Sequence, residues 1–318
     1  MKQRAQSREL IELEGQNTTV RGTWHKTRDE SSGTDSSFAG RGRLGVVVLN
    51  SMSPTRAAYG DSAVHLADGL AECGYPVFRL DLPGFGDSEG DPPQDLLGFV
   101  NCGGFAAIVS AKISELAVRF QLKDVIVLGH CGGAVSAIFA ASGCKECRGL
   151  ILMAPYFHLP QIVRSKARQQ LSLWALRSQV GGRFSNAFDK LKALRLKWRR
   201  AKVPQNANRP LLRAWKEVAS TGLSILVAVA PDRKAAGVKP RLGEFDYIAH
   251  ILGLAGEKGR VTVRSADGAD HSFSNRLGRT AIQEIIGNWL SQNFPRHSQG
   301  PAVTEQMSSQ CNASYAAL

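Results

Sequence analysis

The amino-acid sequence predicts an α/β protein built on a mostly parallel sheet with helices on both faces. Three observations carry that expectation. Short apolar runs alternate with helical stretches along most of the chain. The runs are rich in Val, Ile and Leu without polar alternation. One of them, Val125 to Leu128, leads through a glycine-bracketed turn straight into a helix of small residues. Strands apolar on both sides belong in a sheet buried on both faces, and parallel strands need crossovers of helical length.

The elements follow in order. Residues 8–26 begin with alternation, pass through turn residues and end in Thr18-Thr19-Val20-Arg21-Gly22-Thr23-Trp24, the pattern of a β-hairpin. Residues 29–43, rich in Ser, Gly and Asp, read as a loop. A buried strand is expected over Leu44–Leu49. A helix over Ala57–Gly74 puts Ala63, Leu66, Ala67 and Leu70 on one face, with Gly74 as its cap. Next come a strand over Pro76–Asp81, a loop over Leu82–Gly90, and a helix over Phe105–Phe120. A strand over Asp124–Leu128, a helix over Gly132–Ala141 and a strand over Gly149–Met153 complete the first half. A basic segment with two or more helical stretches then breaks the rhythm. Alternation resumes with strand Ser224–Val229, a helix over 244–254, strand Arg260–Val263 and a closing helix over Arg279–Gln292. The tail from Pro295 to Leu318 is small, polar and aperiodic, and is expected to be disordered. The implied organisation is a core in two parts, 1–156 and 221–294, separated by a basic helical lid at 157–220 and followed by the tail at 295–318.

Composition bounds the function classes. With 318 residues, 43% hydrophobic and 21% charged, the chain suits one large globular domain carrying an insertion. No stretch approaches the roughly 20 apolar residues of a membrane span. The start, Met1-Lys2-Gln3-Arg4, lacks the apolar core of a signal peptide, so a cytoplasmic protein is expected. Six cysteines form no dense framework. Cys144 and Cys147 make a lone C-x-x-C, which cannot supply four zinc ligands and reads as two small residues at a helix end. No metal and no cofactor are expected. The net charge of +13 is local: fifteen Lys and Arg against Asp189 lie between Gln161 and Lys216, and the remainder holds 25 bases and 26 acids. A basic balance confined to one segment argues against nucleic-acid binding and turns attention to what that segment covers.

The chemistry centres on Gly129-His130-Cys131-Gly132-Gly133. A nucleophile elbow needs a strand, a turn too tight for bulk two residues either side of the nucleophile, and a helix; Gly129 and Gly133 meet that need. Cys131 would sit at a helix N-terminus, where unpaired N–H groups and the dipole favour thiolate. Such a nucleophile needs an acid and then a histidine later in the chain. Asp232 follows the strand that ends Val229-Ala230-Pro231, and His271 stands after the next strand and before the last helix. His25, His65, His158, His250 and His297 read as surface or packing residues. His130, the variable elbow position, reads as structural, with substrate contact as its other role. Asp267 and Asp270 are rivals to Asp232, but an immediate neighbour of the histidine points away from the required face more often than towards it. The oxyanion site would combine the N–H of Gly132 with one from Asn50-Ser51-Met52-Ser53-Pro54, Met52 first and Ser51 second. Such a donor is worth about 3 kcal/mol in the transition state.

The run from Tyr75 through Asp81-Leu82-Pro83-Gly84-Phe85-Gly86-Asp87-Ser88 to Gly90 is similar to the loop after strand four in α/β-hydrolases. More narrowly, over residues 8–292 the chain resembles the serine-aminopeptidase-like branch that includes exosortase-associated hydrolases. That resemblance implies an α/β-hydrolase fold, Cys or Ser at the elbow, a basic helical lid after strand six, and an Asp-His-Ser/Thr-Phe sequence, which Asp270-His271-Ser272-Phe273 matches. It implies triad roles for Cys131, Asp232 and His271. The chain departs from the pattern at Asn50-Ser51, where His-Gly is usual, and at Ala230-Pro231-Asp232-Arg233-Lys234, where Gly-x-x-Asp-Pro is frequent.

A cysteine alters the expected substrates. It attacks readily at neutral pH but is also a good leaving group, so a tetrahedral intermediate on a stable amide collapses backwards. Thioesters, lactones and aryl esters suit it better than peptides. The basic segment is either a solvated face or a selector for an anionic donor: coenzyme A, a phosphopantetheine carrier protein or an acidic saccharide. Its aromatics (Trp174, Phe184, Phe188, Trp198, Trp215) are expected to pack it onto the core. The leading expectation is therefore an acyl hydrolase acting on ester or thioester bonds through a Cys131 acyl-enzyme. The alternatives are an acyltransferase sharing that intermediate, or a non-catalytic scaffold binding an acidic partner.

Overall fold

Runs such as Val46-Val47-Val48-Leu49 and Val125-Ile126-Val127-Leu128 are stiff, β-branched and apolar on both sides, and they form the middle of an eight-stranded sheet. The computed structural model describes residues 7–15, 18–27, 30, 43–49, 54–159, 202–230 and 245–295. The strands are β1 (Arg8–Leu13), β2 (Val20–His25), β3 (Arg43–Leu49), β4 (Val77–Leu80), β5 (Leu122–His130), β6 (Cys147–Met153), β7 (Ser224–Val229) and β8 (Arg260–Ser265). Their order is β1-β2-β4-β3-β5-β6-β7-β8. The β1–β2 and β2–β4 pairings are antiparallel; the rest are parallel. The expected hairpin and mostly parallel sheet are both present.

The period of two sorts the core onto two faces. Val47, Leu49, Val125, Val127, Leu150, Leu152, Ile225 and Val227 face one way. That side is covered by α3 (Ala106–Arg119), α4 (Gly132–Ala141), α5 (Arg209–Ser220) and α6 (Tyr247–Ala255). Val46, Val48, Ile126, Leu128, Ile151 and Leu226 face the other way, under α1 (Ser62–Glu72) and α7 (Arg276–Asn293). Of the segment expected as a lid, residues 160–201 lie outside the described residues. Its C-terminal helix α5 packs into the first core: Trp215 is fully buried and its Nε1 donates to the Ile251 carbonyl at 2.8 Å.

Two elements differ from expectation. The helix expected from Ala57 begins at Ser62, because Ala58, Gly60 and Asp61 take positive φ (60°, 59° and 54°) and cannot continue a right-handed helix. An unexpected short helix, α2 (Leu96–Asn101), is capped by the Asp95 carboxylate, which accepts from the Gly98 N–H.

A buried polar network ties the antiparallel edge together. Arg79 on β4 donates through Nε to His25 Nε2 at 2.8 Å, and His25 Nδ1 lies 2.6 Å from Asp68 on α1, which also pairs with Arg8. With Nε2 an acceptor, His25 is neutral and carries its proton on Nδ1, donating to Asp68. Burial pushes His25 below the usual imidazole range, outweighing Asp68. Burial also pushes the Arg79 guanidinium down to about 10.

Candidate active site

The carboxyl ends of parallel strands carry the loops that build sites in such sheets. Strand β5 ends there at His130, and α4 starts at Gly132. Between them, half-buried Cys131 has φ 53° and ψ −113°, a conformation costing a non-glycine residue roughly 1–3 kcal/mol. Its N–H donates to the Met153 carbonyl on β6 at 2.9 Å, and its carbonyl accepts from Ala134 at 3.1 Å and Val135 at 3.3 Å. The N–H groups of Gly132 and Gly133 fall in the first turn, ahead of that ladder, where a helix has no acceptor of its own to offer. Gly129 is forced. A Cβ there would lie 2.2 Å from the Gly133 carbonyl oxygen, so strand and helix cross too closely for any side chain.

The loop between β8 and α7 is held at both ends. Ala266 N–H bonds the Val229 carbonyl at 2.9 Å, and Asn275 caps α7 through Gly278 N–H while its Nδ2 donates to the Gly268 carbonyl at 2.9 Å. His271 sits within this loop with its Nδ1 out of reach of solvent. His130 braces it. His130 Nε2 donates to the His271 carbonyl at 2.8 Å, and the two rings lie 5.2 Å apart. The buried Phe273, at φ 51°, meets the His130 ring edge-on at 5.9 Å. The immediate chain neighbour of Cys131 is thus in contact with the His271 loop.

The two rival acids are engaged elsewhere. Asp270 accepts from Ser274 N–H at 2.7 Å and Ser274 Oγ at 2.6 Å. Partial burial pushes the Asp270 carboxyl up, but those bonds outweigh it and hold the group below the usual range. Asp267 is exposed and accepts from Ser265 Oγ at 3.1 Å. Asp232, Ser51 and Met52 lie outside the described residues. The downstream limb of the loop after β3 is described, and it is bolted down. Arg56 pairs with buried Asp81 and with Asp87 (2.7 Å), and its Nε donates to Thr23 Oγ1 at 2.8 Å. A Cβ on Gly86, at φ 53°, would strike the Asp81 carboxylate at 2.1 Å, so the Pro83-to-Gly90 turn needs glycine there to close over that pair.

The other cysteines are placed differently. Burial, then the neighbouring Cys144, pushes the Cys147 thiol up to about 12, and burial also raises Cys144. Cys147 opens β6 and Cys144 lies in the turn before it; both are buried packing thiols. Among the described residues, no group of three or more His, Cys, Asp or Glu is arranged to hold a metal ion. None of the described helices is long and apolar enough to cross a membrane.

Sequence reasoning missed Tyr156. It follows β6 three residues after Met153, the acceptor for Cys131 N–H, and its buried hydroxyl has no hydrogen-bond partner among the described residues. Burial, then the charge of Cys131, pushes that phenol up to about 12. A hydroxyl-bearing aromatic just past the carboxyl end of a predicted strand was the available signal.

Residues 46–279 match the model of the alpha/beta hydrolase family. Among solved structures, the esterase Pf2001 of Pyrococcus furiosus is similar with a TM-score of 0.56 at 14% identity, covering 91% of this chain and 93% of that one. Est1E of Butyrivibrio proteoclasticus, solved with ferulic acid bound, gives 0.54 at 12% identity, covering 90% and 100%. The thioesterase domain from the curacin biosynthetic pathway gives 0.51 at 15% identity, covering 88% and 99%. At these identities the likeness is one of fold. No curated protein matches the chain.

Proposed function

The chain belongs to the alpha/beta hydrolase family, and we propose that it hydrolyses ester or thioester bonds through a covalent intermediate on Cys131. The observation that carries this is the Cys131 backbone, φ 53° and ψ −113°, held beside a Gly129 that no other residue could replace. Strain of this kind persists only where the surroundings over-determine it, and it lifts one side chain above the sheet edge.

In this mechanism Cys131 Sγ attacks the acyl carbon as His271 takes the thiol proton. The C–S bond forms and the carbonyl electrons move to oxygen. The N–H of Gly132 and one from the loop after β3, Met52 first and Ser51 second, receive that charge. The oxyanion collapses, the bond to the alcohol or thiol leaving group breaks, and His271 returns the proton to it. Water, deprotonated by His271, then attacks the thioester, releasing the acid and regenerating the thiol. Asp232 orients the imidazole through Nδ1, the His271 nitrogen that is shielded from solvent. The engagement of Asp267 and Asp270 with serines supports Asp232 over its rivals. The positive charge between Gln161 and Lys216 supports an anionic thioester donor, with coenzyme A or a phosphopantetheine carrier as the chemical class.

The test is turnover of p-nitrophenyl esters and acyl thioesters by wild type and Cys131→Ala. Loss of at least about a thousandfold in kcat is expected, since removing an attacking nucleophile leaves only binding and oxyanion stabilisation. Unchanged turnover would overturn the assignment.

A further inference from the structure

Four rings form a row past the end of β6. Tyr156 meets His158 edge-on at 6.3 Å between centroids, and His158 lies 5.7 Å from Tyr247 at the start of α6. Phe245 packs against Tyr247 at 4.8 Å. His158 is pinned in place by its backbone bridge to Ala207. Two hydroxyls in this row, Tyr156 Oη and Tyr247 Oη, are buried and have no hydrogen-bond partner among the described residues. Tyr156 stands three residues past Met153, whose carbonyl accepts from the Cys131 N–H at 2.9 Å, and its hydroxyl makes no hydrogen bond to Cys131. A folded protein seldom leaves a buried hydroxyl without a partner, and ordered water, an ion or a bound ligand then completes it.

We propose that Tyr156 recognises an oxygen on the acyl group of the substrate, so that the protein selects hydroxy- or oxo-acyl donors over plain alkanoyl ones. The inference rests on the acyl-hydrolase function above. Tyr156 extends from β6, on the side of β5 away from β3, whereas the second oxyanion donor would come from the loop after β3. It is therefore suited to the acyl chain and not to the carbonyl oxygen under attack. The aromatic row offers an acyl chain ring faces and edges, with the Tyr156 and Tyr247 hydroxyls as donors at fixed points. Phenols pushed up by burial stay protonated at neutral pH and can donate. A site built to hydrogen-bond a substrate oxygen discriminates strongly against the analogue lacking it.

The experiment compares kcat/KM for p-nitrophenyl hexanoate and for its α- and β-hydroxy analogues, in wild type and Tyr156→Phe. Wild type is expected to prefer the better hydroxy ester by about tenfold, and Tyr156→Phe to bring the ratio of the two esters within about twofold. A wild-type ratio near one, or a fall in both esters alike, would overturn the proposal. The second arm measures binding of hexanoic acid and the two hydroxy acids to Cys131→Ala by calorimetry, with and without Tyr156→Phe. Should wild type turn over no ester, the hydrolase function fails, and this arm alone decides the subsite. Tighter hydroxy-acid binding that is lost with Tyr156→Phe supports it, and equal affinities refute it.

Discussion

Cys131, His130 and His271 show how the backbone around a site can serve as well as its side chains. The His130 hydrogen bond to the His271 carbonyl braces the loop that carries the imidazole, so in the proposed mechanism His130 acts as a positioning residue. His130→Ala is expected to lower kcat about tenfold with KM nearly unchanged, the size of one well-placed neutral hydrogen bond. His130→Gln, whose amide nitrogen can reach the same carbonyl, is expected to recover most of that loss in the same steady-state assay. Cys131 and His271 were legible as candidates from residue type and order alone. The His130 contact was not, because it joins positions 141 residues apart through a backbone oxygen, which no motif encodes. Tyr156 escaped for a related reason: its interest lies in what it fails to bond.

The strand–turn–helix joint is the element on which the site depends. Gly129→Ala would press a methyl group against the Gly133 carbonyl and force β5 and α4 apart. It is expected to cost at least about 2–3 kcal/mol in urea denaturation and to reduce activity further by moving Cys131. Gly253 on α6 offers the contrast, since a Cβ there meets nothing within 4 Å. Gly253→Ala is expected to stabilise by about 0.5–1 kcal/mol in the same melts, the ordinary helix preference. Most elements were legible because their apolar periods are long and clean, as in β3, β5 and α4. The start of α1 was not, since Ala58 and Asp61, on either side of Gly60, take positive φ that their residue types do not announce. Helix α2 is too short to show a period, and only the Asp95 cap three residues before Gly98 betrays it.

Across the whole molecule, a buried polar network at the antiparallel edge of the sheet lies apart from the loops after β5 and β8 that carry Cys131 and His271. The Arg8–Asp68–His25–Arg79 network closes the antiparallel edge, and its groups give the fold a pH dependence. Burial, above all, holds His25 below its ordinary value, so the unfolded chain binds a proton near pH 6.5 that the folded chain refuses. For Asp68, burial pushes upward, but the hydrogen bonds from His25 and Arg8 win and hold it low, which adds a further loss at more acid pH. Stability is therefore fully present above about pH 6.5 and declines as pH falls. Urea midpoints are expected to drop between about pH 7.5 and 5, and His25→Gln to flatten the upper part of that slope while lowering the plateau. None of this network was readable from the sequence, because its members come from β1, β2, β4 and α1 and meet only when the sheet is assembled.

The central claim, covalent catalysis by Cys131, is met most directly by intact mass spectrometry after brief incubation with acyl thioesters and p-nitrophenyl esters, followed by peptide mapping. The expected result is a mass gain equal to the acyl group, located on Cys131, accumulating further in His271→Ala and absent in Cys131→Ala. Turnover with no adduct on Cys131, or an adduct that persists in Cys131→Ala with activity intact, would contradict it.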